Sequence, residues 1–169
     1  LLVSPKNELW MGGNQGIFVY NSRNPSAMVH YSQKNSQLYN SYINSMMFDR
    51  QGRCWISTQK GLCIYNPTDG IIHSSGFPSG FFNHVSELNC TLGDNDHIIC
   101  YSLAGLFKTN EDMDLYHSIS LQKSVWNNFI SLILYDHQYG HYWMGTEKGL
   151  FCFDRDFHSF RHYGDEFNL

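Results

Sequence analysis

One eight-residue pattern returns four times along the chain at an almost constant interval, and this repetition constrains the fold more than any other feature. The pattern is an aromatic residue or Ile, an apolar residue, two mostly small residues, two variable residues, Gly and an apolar residue. The copies begin at Trp10, Trp55, Ile99 and Trp143. Their glycines stand at intervals of 45, 44 and 44 residues, at Gly16, Gly61, Gly105 and Gly149. A period of this length marks a stack of one supersecondary unit.

The second copy shows the content of one period. Runs of β-branched and aromatic residues, bounded by Gly, Pro, Asn and Asp, predict short strands over 43–48, 53–58, 62–65 and 71–73. Four short antiparallel strands in such a unit are typical of one propeller blade. We therefore predict an all-β chain with about four four-stranded β-propeller blades at 1–31, 43–74, 85–117 and 129–163. Together they form a single partial propeller domain over 1–169, in which the first blade starts inside its inner strand and the third is degenerate.

Two positions of the pattern have a structural explanation. The Gly after the two variable residues suits a three-residue hairpin loop, a type I turn followed by a left-handed residue. The hairpin loops themselves are expected at the two variable residues, such as Gln59-Lys60, and Cys63 is expected to lie opposite Ile56. The repeated tryptophans are expected to pack one blade against the next rather than to contact a ligand.

Bulk properties exclude several functional classes. The formal net charge is −4 and only 15% of the residues are charged, so the chain lacks the clustered Lys and Arg of a nucleic-acid-binding protein. The longest apolar stretch, 129–135, is too short to cross a bilayer. Histidines four apart on a strand are about 13 Å apart, too far to share a metal ion. We predict no metal, no cofactor and no catalytic residues, since no nucleophile or phosphate-loop motif stands out.

Residues 55–66 and 143–154 closely resemble the two-component-regulator propeller repeat, and Asp49 with Gly52 resembles the Asp-x-x-Gly turn before it. Residues 8–21 are similar with two replacements, and 97–110 are similar only through Gly105-Leu106 and the spacing. The resemblance implies a larger, commonly seven-bladed propeller, followed by a β-sandwich, a membrane span and a histidine kinase. Many members of that family sense oligosaccharides released during polysaccharide breakdown.

The resemblance implies a non-enzymatic sensor, a fragment of a hybrid two-component system histidine kinase. It would lie in the periplasm, on a membrane-anchored parent protein, and signal across the membrane to regulate glycan-utilisation genes. A propeller scaffold for protein–protein interaction is the alternative. An enzyme ranks third, because the sequence offers no convergent acids, bases or metal ligands.

The connections between repeats and the hairpin loops are expected to crowd one face of the propeller. Aromatic and amide side chains in such places suit sugars, whose C–H faces stack on rings. The candidate ligand-binding residues are Tyr39, Tyr42, Lys60, Phe81, Phe82, Asn83, His84, Trp126, Asn127, Asn128, Glu147 and Lys148. The partners predicted are an oligosaccharide and either neighbouring blades or a second copy of the chain, because four blades from a larger ring leave two apolar end faces open.

Overall fold

The computed structural model describes residues 1–74, 88–102, 105–109, 116–119 and 129–164. These residues form four four-stranded antiparallel sheets, each with its strands in chain order, so the predicted fold class is confirmed. We name the sheets blades 1 to 4. The described part of the chain contains one short 3-10 turn, Asp94–Asp96, and no α-helix. It accordingly offers no helix with the length and apolar character needed to span a bilayer.

The first two blades occupy the N-terminal half of the chain. The strands of blade 1 are β1 Leu2–Val3, β2 Glu8–Gly13, β3 Gly16–Asn21 and β4 Val29–Tyr31. The strands of blade 2 are β5 Ile43–Phe48, β6 Cys54–Thr58, β7 Gly61–Asn66 and β8 Ile71–Ser74. Ile56 pairs with Cys63 across β6 and β7, as the sequence predicts.

The other two blades follow with the same strand order. The strands of blade 3 are β9 Asn89–Leu92, β10 Ile98–Ser102, β11 Gly105–Thr109 and β12 Tyr116–Ile119. The strands of blade 4 are β13 Ile130–Asp136, β14 His141–Thr146, β15 Gly149–Phe153 and β16 Phe160–Tyr163. Blades 1 and 2 belong to one compact unit, Leu1–Cys90, and blade 4 with nearly all of blade 3 belongs to a second, Thr91–Leu169.

The hairpin between the two middle strands has the two-residue loop Gln59-Lys60 rather than the three-residue turn that the glycine suggests. Thr58 pairs directly with Gly61. The Thr58 hydroxyl donates to the Gly61 carbonyl at 2.8 Å and accepts the Lys60 N–H at 3.2 Å, which closes the shorter loop. The requirement for Gly is confirmed: φ is +145° at Gly61, where a side chain is disfavoured.

The repeated tryptophan packs blade 1 against blade 2. Trp10 is 1% exposed, and its ring meets Phe48 and Tyr65 of blade 2 edge-on at centroid distances of 5.4 and 4.8 Å. Trp55 is completely buried. Burying a side chain of this size stabilises the fold by roughly 2–3 kcal/mol, so this position builds the core as the sequence predicts.

Blades 3 and 4 share a second core, in which Ile99 takes the place of the tryptophan. Ile99 is fully buried and clusters with Tyr142, Met144 and Phe153 of blade 4. Trp143, at the same repeat position in blade 4, is only partly buried. Leu132 and Leu134 on β13 are 49% and 53% exposed. Blade 4 therefore presents an apolar surface, and self-association through such a surface stays a prediction.

Candidate functional site

The segment that joins blade 1 to blade 2 lies against the Gln59-Lys60 hairpin loop of blade 2. The Gln59 N–H donates to the Tyr42 carbonyl at 3.2 Å. A Cβ added at Gly61 would lie 3.0 Å from the nearest ring carbon of Tyr39. The glycine that the hairpin needs thus also allows the close approach of Tyr39. The structure brings Tyr39, Tyr42 and Lys60 to one end of blade 2.

The joining segment is held in place by its own side chains and by the blade core. Asn35 Oδ1 accepts the Ser32 N–H at 2.7 Å, and the Ser36 hydroxyl donates to the Ser32 carbonyl at 2.7 Å. Leu38 is 3% exposed and joins the core of blades 1 and 2. The Tyr39 N–H donates to Cys63 Sγ at 3.4 Å. These contacts fix the backbone from which both tyrosines project.

Both tyrosines remain accessible although their backbone is fixed. Tyr39 is 36% exposed and Tyr42 is 47% exposed, and Lys60 is exposed at the tip of the loop. Asn40 Oδ1 accepts the Tyr42 N–H at 2.6 Å, which orders the backbone between the two rings. Aromatic faces beside an ammonium donor can stack on an apolar ring face and donate hydrogen bonds to hydroxyls.

Cys63 connects this surface to the core. Burial raises the pKa of the Cys63 thiol to about 11, although the hydrogen bond from the Tyr39 backbone lowers it. The thiol is therefore neutral at physiological pH, and its sulfur acts as an acceptor and packing group rather than as a nucleophile.

The corresponding loop of blade 4 has the same local geometry. Thr146 donates to the Gly149 carbonyl at 3.0 Å and accepts the Lys148 N–H at 3.1 Å. Glu147 and Lys148 are both exposed. His162 Nε2 hydrogen-bonds to the Lys148 carbonyl at 2.7 Å, and the His162 ring stacks on Phe151 at 4.3 Å.

Blade 1 repeats this histidine contact, which the sequence analysis did not find. His30 Nε2 hydrogen-bonds to the Gln15 carbonyl at 2.8 Å and stacks on Phe18 at 4.3 Å. In both blades the histidine stands directly opposite a phenylalanine on the neighbouring strand. That pairing could have been found by aligning the repeats beyond the glycine. These two histidines fix hairpin loops.

The other predicted ligand-binding residues lie outside the described part of the chain. They are Phe81, Phe82, Asn83, His84, Trp126, Asn127 and Asn128. Of the twelve candidates, the structure therefore places Tyr39, Tyr42 and Lys60 together on blade 2, and Glu147 and Lys148 on blade 4.

Asp94 in blade 3 is a buried carboxylate that accepts hydrogen bonds from three side chains. Asp94 is 3% exposed. Its carboxylate accepts Lys108 Nζ and Arg155 Nε, each at 2.6 Å, and the Tyr142 hydroxyl at 2.8 Å. Burial alone would raise the pKa of Asp94, but these three donors outweigh it and hold the pKa well below its usual range. Asp94 therefore ties blade 3 to blade 4 as a permanent anion.

The described residues hold no group of three or more His, Cys, Asp or Glu side chains arranged to bind a metal ion. The exposed groups gathered on blade 2 are phenols and an ammonium, and that combination suits reversible binding.

Comparisons with known proteins agree with this fold. Residues 38–60 match the family described as "Two component regulator propeller". The extracellular domain of the putative hybrid two component system BT3049 from B. thetaiotaomicron is 23% identical, with a TM-score of 0.75; the match covers 100% of this chain and 23% of that one. The corresponding domain of BT4673 from the same organism is 21% identical, with a TM-score of 0.73, over 92% of this chain and 22% of that one.

Enzymes share the fold as well. Virginiamycin B lyase from Staphylococcus aureus is 13% identical with a TM-score of 0.71, over 96% of this chain and 54% of the lyase. No curated protein matches the chain. The chain spans less than a quarter of the length of the two extracellular domains. Residues 38–60 therefore carry the two-component-regulator propeller repeat, and the chain folds as four blades of a β-propeller.

Proposed function

We propose that this chain is part of the extracytoplasmic sensor propeller of a hybrid two-component system histidine kinase, and that it binds an oligosaccharide. The observation that carries the proposal is the position of the family match. Residues 38–60 contain both exposed tyrosines and the Lys60 loop that they approach. The segment that matches the family is thus also the segment that presents exposed aromatic and ammonium groups.

The geometry of blade 2 supports a sugar as the ligand. Tyr39 and Tyr42 expose ring surface on a backbone that is fixed by hydrogen bonds, so the segment that carries the rings is ordered before a ligand arrives. A preordered segment loses less conformational entropy on binding. Sugars combine apolar C–H faces with hydroxyls, which match the aromatic rings and the Lys60 ammonium respectively.

The proposed role in signalling rests on the solved structures that resemble this chain. Two of them are extracellular domains of putative hybrid two-component systems, so we place this propeller outside the cytoplasm on a membrane-anchored parent protein. There, binding would bias a kinase that controls glycan-utilisation genes. The propeller itself would be non-enzymatic. The lyase neighbour shares the fold at 13% identity, and fold alone does not transfer an activity.

Calorimetric titration of the chain with a panel of plant and host oligosaccharides tests the proposal. We expect at least one glycan class to bind, and Tyr42→Ala to weaken binding about tenfold by removing a stacking ring. Tyr139→Ala is the matched control, because Tyr139 is 67% exposed on the turn between β13 and β14, at the end of β14 opposite the Glu147-Lys148 loop. Its affinity should equal that of the unsubstituted chain.

Two results would contradict the sugar-sensing role. One is the absence of binding to every glycan class. The other is equal affinity of the Tyr42→Ala and Tyr139→Ala variants. Retention of a protein partner by the same surface, with no glycan affinity, would favour the scaffold function instead.

A further inference from the structure

The contact between blades 1 and 2 shows how one sheet of this chain covers the next. Trp10 and Tyr31 lie beside each other on blade 1, with ring centroids 6.2 Å apart. Tyr65 of blade 2 packs against both rings, at centroid distances of 4.8 Å to Trp10 and 6.1 Å to Tyr31. Phe48 of blade 2 meets Trp10 at 5.4 Å. A tyrosine from the following sheet thus covers the Trp–Tyr pair of blade 1.

Blade 4 carries the same aromatic pair on a face that is accessible. Trp143 and Tyr163 stand at the repeat positions of the blade 1 pair, and their ring centroids are 5.8 Å apart. Leu150, at the repeat position of Ile17, is 37% exposed, whereas Ile17 is completely buried. Leu134, which pairs with Trp143, is 53% exposed. Positions that blade 2 covers on blade 1 are therefore uncovered on blade 4.

The accessible face of blade 4 contains a groove. Tyr142 and Met144 belong to the core shared with blade 3. Side chains alternate along a strand, so Trp143 lies on the opposite side of the sheet. A cavity of about 430 Å³ is lined there by Trp143, Cys152 and Tyr163, among others. Its volume is in the range of pockets that accommodate ring-sized groups.

Blade 1 offers a complementary surface on its other side. The side of blade 2 that covers blade 1 carries Cys54 and Cys63, which are both completely buried. Leu9 and Phe18 hold the same repeat positions in blade 1 and are only partly buried. Apolar side chains thus occupy the positions of a covering face, while that face of blade 1 is itself accessible. Accessible apolar faces of this kind mark protein–protein contacts.

Tyr20 supplies the aromatic group that the groove on blade 4 lacks. It stands at the repeat position of Tyr65, because each of the two tyrosines pairs with the residue just before the repeated tryptophan position. Tyr20 is only partly buried. Val3 pairs with the same residue, Leu9, from the other side and is 64% exposed. Blade 1 therefore presents a tyrosine in the place from which Tyr65 covers its own Trp–Tyr pair.

We propose that the accessible face of blade 4 docks blade 1 of a second copy of this chain, with Tyr20 of that copy in the groove beside Trp143 and Tyr163. The contact repeats between two copies the arrangement that joins blades 1 and 2 within one copy. Because the two faces differ, the contact is head-to-tail, and each copy offers one face to each of two neighbours. It does not depend on the sensor function proposed above.

Sedimentation velocity over a series of concentrations tests the contact. We expect the 169-residue chain to form assemblies whose size increases with concentration. Tyr20→Ala and Trp143→Ala each remove one ring of the contact and should raise its dissociation constant at least about thirtyfold. Tyr42→Ala is the control, because Tyr42 is 47% exposed beside the hairpin loop of blade 2, and it should associate like the parent chain.

A mixture of the two variants tests whether two different faces meet. Tyr20→Ala keeps the groove of blade 4, and Trp143→Ala keeps the tyrosine of blade 1. Each variant alone should remain a single copy, whereas an equimolar mixture should form complexes with one copy of each. Far-UV circular dichroism checks that the sheets are retained. Val3→Glu or Leu134→Glu, at side chains 64% and 53% exposed, replaces a ring variant that does not fold.

Three outcomes would overturn the proposal. A parent chain that remains a single copy up to its solubility limit would mean that something other than a second copy covers the face. Association that survives unchanged in Tyr20→Ala would place the contact elsewhere, for example between two copies of blade 4. A mixture of the two variants that contains only single copies would contradict the head-to-tail arrangement.

Discussion

Blades 2 and 3 use a buried aspartate at the same turn in different ways. In blade 2 the Asp49 carboxylate is 5% exposed and binds Arg53 and Trp55 of its own sheet. In blade 3 Gly93 takes the place of Asp49, because its N–H donates to the His97 carbonyl just as the Asp49 N–H donates to Arg53. The carboxylate comes instead from the next residue, Asp94.

The missing side chain at Gly93 leaves room for a partner from blade 4. A Cβ at Gly93 would lie 2.5 Å from the Tyr142 hydroxyl. That hydroxyl donates to Asp94 Oδ1 at 2.8 Å and accepts the Asp94 N–H at 2.9 Å. A bond within one blade is thus replaced by a bond between two blades. The copy that departs most from the repeat pattern is the one that ties two sheets together.

The largest effect is expected for Asp94→Ala. It leaves Lys108, Arg155 and Tyr142 without their shared acceptor, and loss of one partner from a buried ion pair destabilises by about 3 kcal/mol. Urea unfolding measures the change. Asp69→Ala is the control, since Asp69 and its partner His73 are 38% and 47% exposed and an exposed ion pair contributes little to stability. Equal losses would contradict the role of Asp94.

Gly93→Ala is expected to have the next largest effect. The new methyl group displaces the Tyr142 hydroxyl from Asp94, at a cost of about 2 kcal/mol for the bonds broken and the groups left unsatisfied. Gly13→Ala serves as the control, because a Cβ there meets nothing within 4 Å. Should both variants unfold at the same urea concentration, the space at Gly93 would have no structural importance.

Acid unfolding tests whether the pKa of Asp94 is lowered in the folded protein. A carboxyl whose pKa is lower in the folded state stabilises above its unfolded pKa, about 3.9. That stabilisation is lost as the pH falls through the pKa that the carboxyl group has in the folded state. Asp94→Asn removes this titration, so the free energy of unfolding should fall less steeply below about pH 4, by at most about 1.4 kcal/mol per pH unit. Parallel curves for the two proteins would show that Asp94 titrates normally.

The smallest expected effect is the difference in stability between the Trp10→Phe and Trp55→Phe variants. Trp10 and Trp55 are 1% and 0% exposed, so replacement by Phe removes similar ring contacts from each. Only Trp55→Phe also removes a hydrogen bond, the one to Asp49, and should cost about 1 kcal/mol more than Trp10→Phe. Thermal unfolding of both variants gives the difference. A larger loss for Trp10→Phe would mean that the Trp10 indole is already satisfied.

The four sheets could be predicted from the sequence because the same eight-residue pattern recurs in each of them. The glycine after the two variable residues, the packing of Trp10 against the next blade and the opposition of Cys63 to Ile56 are confirmed, since register and alternation follow from a short local pattern. The two-residue hairpin loop Gln59-Lys60 is confirmed by the pairing of Thr58 with Gly61, whereas the three-residue turn suggested by the glycine is not formed.

Contacts between repeats were harder to predict. The ties from Asp94 to Tyr142 and Arg155 join residues 48 and 61 positions apart, and no local pattern connects them. On the candidate surface, the sequence singled out Tyr39, Tyr42 and Lys60. It did not show that the Tyr39 ring packs closely over Gly61, because such a contact depends on how two segments pack rather than on their composition.

A double-mutant cycle between Asp94 and Tyr142 tests most directly whether the degenerate repeat is tied to its neighbour. The free energy of unfolding is measured for the parent chain, for Asp94→Ala, for Tyr142→Phe and for the double variant. The interblade tie predicts a coupling energy of about 1–2 kcal/mol, because each single change already breaks the same bond. Strictly additive losses would contradict it.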